Sequence, residues 1–146
     1  MLLGLEGMDV EHEEFVGLIE ALCQAPDTDV GSAFDALATH AGEHFQSEEE
    51  WMSRTCFPAH ACHAAEHKAV MRSIAGVQDR LRKGDIDAAR RLGAALAAWF
   101  PGHAEYLDAA LAHWVCKQRH GGKPIVLRRH PTRQRQVPAG GPHSNS

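Results

Sequence analysis

Apolar residues recur along most of this chain at alternating steps of three and four, the spacing that lines one face of an α-helix. Four segments carry it. In the first, Met8, His12, Phe15, Ile19 and Leu22 share a face; in the second, Phe34, Leu37, Ala41, His44, Glu48 and Trp51 do. The third gives His63, His67, Val70, Ile74, Val77 and Leu81. The fourth gives Leu92, Leu96, Trp99 and His103, then drifts to Leu107, Leu111 and Trp114. β-branched residues are few and nowhere alternate with polar ones, so strand signals are nearly absent. Four amphipathic segments with heptad-like seams predict an all-α fold, a four-helix bundle.

The breaks between segments agree. "APDTDVGS" separates the first two and offers Asp29 or Ser32 as an N-cap. "RTCFP" separates the second and third, with Pro58 near the first turn of the third. "KGDID" separates the third and fourth, with Gly84 as a C-terminal stop and Asp85 or Asp87 as the next cap. Links this short favour antiparallel neighbours, hence an up-down-up-down topology.

The pattern stops after Cys116, dividing a helical domain, 1–116, from a tail, 117–146. The tail is rich in Pro, Gly and Arg with one short apolar cluster at 125–127, and most of it is expected to be disordered. Charge sharpens that boundary. The tail holds seven Lys or Arg and no acid, which leaves eight bases against all nineteen acids in the body. An acidic body argues against nucleic acid as its ligand, while the basic tail suits an acidic partner or surface, or is an unselected extension. The opening "MLLGLEGMDVEHEE" lacks the basic and long apolar regions of a signal peptide, and no apolar run approaches membrane-spanning length. A cytoplasmic protein is expected, with Cys23, Cys56, Cys62 and Cys116 as free thiols, Cys56 and Cys62 serving as small apolar filler.

What sets the seams apart is their polar content. His12, His44, Glu48, His63, His67 and His103 stand where Leu or Ile would be expected. Each buried polar group left unpaired costs about 1–3 kcal/mol. In an antiparallel bundle the start of the first helix, the end of the second, the start of the third and the end of the fourth meet at one end. All six residues fall there, so a shared metal site would satisfy them together. His44/Glu48 and His63/His67 are i,i+4 pairs, each covering one patch of helix surface. On the fourth helix, Asp108 is five residues past His103, about 140° round an ideal helix. A local widening of the helix would be needed to bring it inward, and Pro101 already removes a backbone donor nearby. Glu105, about 200° from His103, should face solvent.

His12, then "HFQSE", "HAAEH" and "HAEYLD", resembles the hemerythrin family pattern H…HxxxE…HxxxH…HxxxxD at all seven positions. "EEEWM", "CFP" and "WFPGH" also resemble segments of bacterial hemerythrins, and the likeness covers roughly residues 8–116. The resemblance implies two iron ions in a non-haem di-iron centre. His63, His67 and His103 would hold one ion, His12 and His44 the other, with Glu48 and Asp108 bridging. Five imidazole nitrogens, two bridging carboxylates and one oxo or hydroxo bridge leave a single position open on a pair of octahedral ions. It lies on the ion with two histidines, where dioxygen would bind. Closed tetrahedral zinc sites do not suit this donor set.

The resemblance therefore implies reversible dioxygen binding for storage, delivery or buffering, rather than enzymatic turnover. An oxygen, redox or nitric oxide sensor, or a di-iron enzyme with peroxidase or nitric oxide reductase activity, would use the same open position. Phe45, Trp99 and Phe100 are expected to keep the site dry. Ala104 stands where the family usually carries a larger aliphatic, and Phe100 where it usually carries leucine, so a leakier pocket with faster autoxidation is expected. Of "EEE" at 48–50, only Glu48 lies on the seam; Glu49 and Glu50 should be solvated. His40 and His60 suit either the surface or a supporting role near the ligands, and His113, His120, His130 and His143 show no ligand spacing.

Overall fold

The structure, a computed structural model, describes residues 6–119. Helix α1 spans Glu6–Gln24, α2 Val30–Arg54, α3 His60–Arg82 and α4 Ile86–His103. A π-helical turn, Ala104–Asp108, joins α4 without a break to α5, Ala109–Arg119. Helix α1 packs on α2 and α4, and α3 packs on the same two, so the four helices form an antiparallel square with α1 and α3 at opposite corners. The predicted all-α, up-down-up-down bundle is what the chain adopts. Among the described residues, no helix is long and apolar enough to cross a membrane.

The bends between helices follow from local chemistry. Gly84, at φ 85°, ends α3: its N–H bonds to the Leu81 carbonyl and the Asp85 N–H to the Arg80 carbonyl, both at 3.0 Å. That pair of bonds is a Schellman stop, and it requires the left-handed conformation that glycine adopts freely. Asp85 then caps α4, accepting from the Ala88 N–H at 3.1 Å. The end of α2 uses the same device without glycine. Cys56 takes φ 52°, its N–H reaching the Ser53 carbonyl and the Phe57 N–H the Met52 carbonyl. Burial of Phe57 with Met52 anchors that turn. Neither expected cap of α2 works through its side chain: Asp29 makes no such bond, and the Ser32 hydroxyl donates back to the Asp29 carbonyl. Arg90 ties the start of α4 to the α1–α2 link, donating to the Ala25 carbonyl at 2.8 Å and to Asp27 at 2.7 Å.

Two apolar clusters fill the bundle. The larger runs from Phe15, Ile19 and Leu22 across Phe34 and Leu37 to Ile74, Leu92 and Leu96. The smaller closes the opposite end with Met8, Met52, Phe57, Leu111, Ala112 and Val115. Burying a large aliphatic or aromatic side chain contributes about 1.5–3 kcal/mol, so each cluster helps to hold the polar layer between them out of water. Helix α5 runs to Arg119. Cys23, Cys56 and Cys62 are exposed and Cys116 half-buried, so Cys56 and Cys62 are not filler, although all four are free thiols. The rest of the basic tail, 120–146, with the disorder and the acidic partner or surface expected for it, lies outside the described residues.

Candidate metal centre

Between the two clusters lie His12 from α1, His44 and Glu48 from α2, His63 and His67 from α3, and His103 and Asp108 from the end of α4. All seven are at most 3 % exposed, and Glu48 and Asp108 are fully buried. Each of the five imidazoles turns Nε2 inward. That of His44 lies 2.7 Å from Glu48 Oε1, and those of His63 and His67 lie 3.0 Å from Glu48 Oε2. On Asp108, His63 lies 2.8 Å and His103 3.0 Å from Oδ1, and His12 lies 2.9 Å from Oδ2. The Nε2 atoms of His63 and His67 each stand 3.3 Å from that of His103.

Asp108 reaches this set because of the π-helical turn. The Ala109 N–H bonds to the Ala104 carbonyl, five residues back, so the turn holds one residue more than an α-turn. The extra residue rotates Asp108 towards His103. It also explains the drift of the fourth seam from His103 to Leu107 and Leu111. Glu105, in the same turn, is exposed as expected.

The short imidazole–carboxylate distances here do not align as hydrogen bonds. Both nitrogens of His12, Nε2 of His44, Nδ1 of His63 and of His67, and all four carboxylate oxygens of Glu48 and Asp108 are buried without a hydrogen-bond partner. Lone pairs that crowd together yet fail to align as donor and acceptor face common points between them. Donors in adjacent positions on an octahedral ion, with bonds of about 2.1 Å, stand roughly 3 Å apart, which these separations approach. The atoms fall into two groups. Glu48, His63, His67, His103 and Asp108 form one, and His12, His44, Glu48 and Asp108 the other, so both carboxylates belong to both. These clusters are capable of holding metal ions.

The protonation states of the metal-free chain reflect the same crowding. Burial alone would lower His12 and His63, but Asp108 and Glu48 beside them outweigh it and raise each to about 9. Burial opposes ionisation of Glu48 too, yet the four histidines around it hold its carboxyl well below the usual range. Asp108 is likewise held at about 2, burial being overcome by His103, His12 and His63. For His67, burial prevails over Glu48 and lowers it.

Aromatic rings wall the site. Phe45 stacks on His67 at 4.0 Å, Trp99 lies 4.3 Å from His103, and Phe100 meets His12 edge-on at 5.2 Å. Phe15, not singled out from the sequence, packs between Phe100 and His44. Beside His12 a cleft of about 310 Å³ opens between α1 and α4, bounded by Glu13, Val16, Phe100, Pro101 and Ala104.

Two carboxylates missed in the sequence complete the site. Glu11 Oε2 lies 2.7 Å from His44 Nδ1, and Glu66 Oε1 accepts from Trp99 Nε1 at 3.1 Å and lies 3.3 Å from His103 Nδ1. The signal was present: each directly precedes a seam histidine, as "EH", and so sits about 100° round the helix, facing the neighbouring one. His40 also supports the site, its Nε2 lying 3.0 Å from the Glu11 carbonyl. Glu50 is exposed, while Glu49 is half-buried rather than fully solvated.

Comparison with known proteins agrees with this geometry. The family described as Hemerythrin HHE cation binding domain matches residues 3–115. A bacteriohemerythrin of Ralstonia nicotianae is 34 % identical over 116 residues, covering 80 % of this chain and 85 % of the relative. One of Stenotrophomonas maltophilia is 26 % identical, with 77 % and 76 % covered, and one of Methylococcus capsulatus 24 % identical, with 68 % and 79 % covered. No solved structure matches significantly.

Proposed function

The chain belongs to the hemerythrin family, and from that premise we propose that it binds dioxygen reversibly at a non-haem di-iron centre. His63, His67 and His103 would hold one ion, His12 and His44 the other, and Glu48 and Asp108 would be shared between them. The observation that carries this is the sharing of both buried carboxylates between two groups of imidazole nitrogens. When bound, an iron pair supplies one electron from each ion to dioxygen and recovers both on release.

The chain's own residues make that exchange reversible. With the carboxylates shared, three imidazoles would fill the remaining sites of one ion and two would leave a position on the other, giving an exogenous ligand one place to go. Phe15, Phe45 and Phe100 exclude water and offer no proton to what is bound there. The carboxylates offset charge in a layer from which solvent is shut out, and the relatives named as bacteriohemerythrins support the same assignment.

One observation favours a second use, as a di-iron enzyme: the cleft beside His12 is far larger than dioxygen needs, since a water molecule occupies only about 30 Å³. Metal analysis and visible absorption of the reduced protein before and after exposure to air decide between them. Two irons per chain with colour that appears in air and fades on degassing is the result expected. Colour that decays irreversibly with substrate turnover would favour the enzyme, and zinc or fewer than two metals would overturn both.

A further inference from the structure

The two helical hairpins of the bundle repeat one arrangement. In the first, α1 carries Glu11-His12 and α2 carries His44 and Glu48. In the second, α3 carries Glu66-His67 and α4 carries His103, with Asp108 one residue further on because of the π-helical turn. In each hairpin the glutamate of the first helix reaches the outer nitrogen of the histidine on the second. We infer that Glu11 and Glu66 are positioning residues, each orienting one histidine in a different one of the two ligand sets. This rests on the di-iron assignment and goes beyond it.

The chemistry follows from the two faces of an imidazole. A neutral ring has one N–H and one lone pair, and the bond made by one nitrogen decides which it is. A carboxylate accepts only, so Glu11 Oε2 at 2.7 Å holds the proton of His44 on Nδ1. That leaves the Nε2 lone pair free, aimed into the centre beside Glu48. Glu66 does the same for His103, whose Nε2 faces Asp108. The remaining three have no such partner: Nδ1 of His12, of His63 and of His67 is buried and unbonded. So each ligand set has one imidazole steered by a charged acceptor.

Geometry around Glu11 reinforces the assignment. His40, one turn before His44 on α2, stacks on it with ring planes 8° apart and meets the Glu11 carbonyl at 3.0 Å. Its Nδ1 lies 3.6 Å from Glu14. α1 is thereby gripped at the residue whose carboxylate must meet His44. Glu66 is fixed by Trp99, whose indole N–H bonds the same oxygen that faces His103. Both carboxylates are partly exposed, 29 % for the Glu11 side chain and 43 % for Glu66, so they are not part of the packed core.

Outer partners of metal-bound histidine typically change metal affinity by about 10–100-fold when removed. The test uses the iron-loaded full chain and the rate of iron loss to a chelator, with Glu11→Ala, Glu11→Gln, Glu66→Ala and Glu66→Gln. Glu11→Ala is expected to speed loss of one ion per chain by about 10–100-fold and leave the other near the wild-type rate. Glu66→Ala should release the other ion. The glutamine variants keep a neutral acceptor, so they should restore most of the retention yet raise the midpoint potential, because a neutral acceptor pushes less electron density onto the ring. Unchanged rates in both alanine variants would overturn the inference, and so would simultaneous loss of both ions with no rescue by glutamine. A wild-type chain holding a single iron would refute the di-iron assignment instead, and the same substitutions would then be read on that ion, only one alanine variant being expected to release it.

Discussion

Glu48→Ala separates a buried bridging carboxylate from an ordinary charge run. Glu48 is fully buried, with Nε2 of His44 at 2.7 Å, of His63 and His67 at 3.0 Å, and of His12 at 3.8 Å. In the metal-free chain, despite burial, the surrounding imidazoles hold Glu48 and Asp108 ionised, and the two carboxylates in turn raise His12 and His63, with Glu48 raising His44. Deleting one carboxylate leaves the buried imidazolium groups with a single anion among them. Breaking a buried ion pair by removing one partner costs about 3–5 kcal/mol. For a domain of this size that lowers Tm by on the order of 10–20 °C. Circular dichroism melts of the metal-free protein measure this, and elemental analysis of the loaded protein should find fewer than two metals. Glu48→Gln keeps the volume and loses the charge, so it should fail in metal retention without leaving a void. Glu50→Ala, two residues on and exposed, should shift stability by no more than about 0.5 kcal/mol and keep both metals. A Glu48→Ala protein with unaltered Tm and two metals would refute the bridging role and the charge pairing together.

Metal uptake should release at least about two protons per chain at pH 7, because His12 and His63, and His44 to the extent that it too is raised, must surrender theirs, which calorimetry in buffers of different ionisation enthalpy measures. The raised pKa values also stabilise the metal-free fold below 6.5 and cease to do so as pH rises through about 9, so its Tm should fall across that window while the loaded protein's does not. Cys56→Gly should raise stability by about 1 kcal/mol in thermal or urea unfolding, since Cys56 holds φ 52°, where a side chain is strained. Ala104→Ile should project into the cleft beside His12 and Phe100 and slow loss of the oxygenated form, followed by the decay of its visible absorption. Met8 lies four residues before His12 as His63 does before His67, and it is buried. Met8→His should therefore supply a sixth imidazole and abolish the spectral response to added azide while both metals stay bound.

The seams made the bundle legible because a 3.6-residue period shows whatever the side chain, and histidine or glutamate in a core position is conspicuous. Hence His12, His44, Glu48, His63, His67 and His103 could be placed from periodicity alone, and the structure brings all six to one end. Asp108 could not. Ideal α-geometry puts it about 140° from His103, and only the resemblance to a known family included it. The turn that admits it depends on a carbonyl pairing five residues on, which no residue type announces. Glu11 and Glu66 were hidden for another reason. Both lie off the seam, Glu11 among other acids and Glu66 in an otherwise ordinary helical stretch, and what distinguishes them is the helix they face. Cys56 reads as filler from its small apolar side chain, but it stands in the left-handed turn that ends α2, beside the packing of Phe57 on Met52, and is exposed there.

Repetition of the hairpin turns the asymmetry of the centre into a question about two residues. A strict repeat would give each ligand set the same donors: the glutamate-steered histidine, the histidine that follows that glutamate, and shared carboxylates. His63 breaks the repeat by adding an imidazole one turn before His67, where the first hairpin carries Met8 in the apolar cluster that closes the end of the bundle. The one-residue lengthening between His103 and Asp108 breaks it a second time, against the four-residue spacing of His44 and Glu48. Both departures lie in the second hairpin, and the first adds to its donor count. On the proposed two-ion assignment the open position would therefore fall to the first hairpin, beside His12, which also lines the cleft between α1 and α4. A binding site for an exogenous molecule needs a vacant position and a route to it on the same ion. On that assignment Met8 in place of a histidine would supply the first, and the small side chain of Ala104 would widen the second.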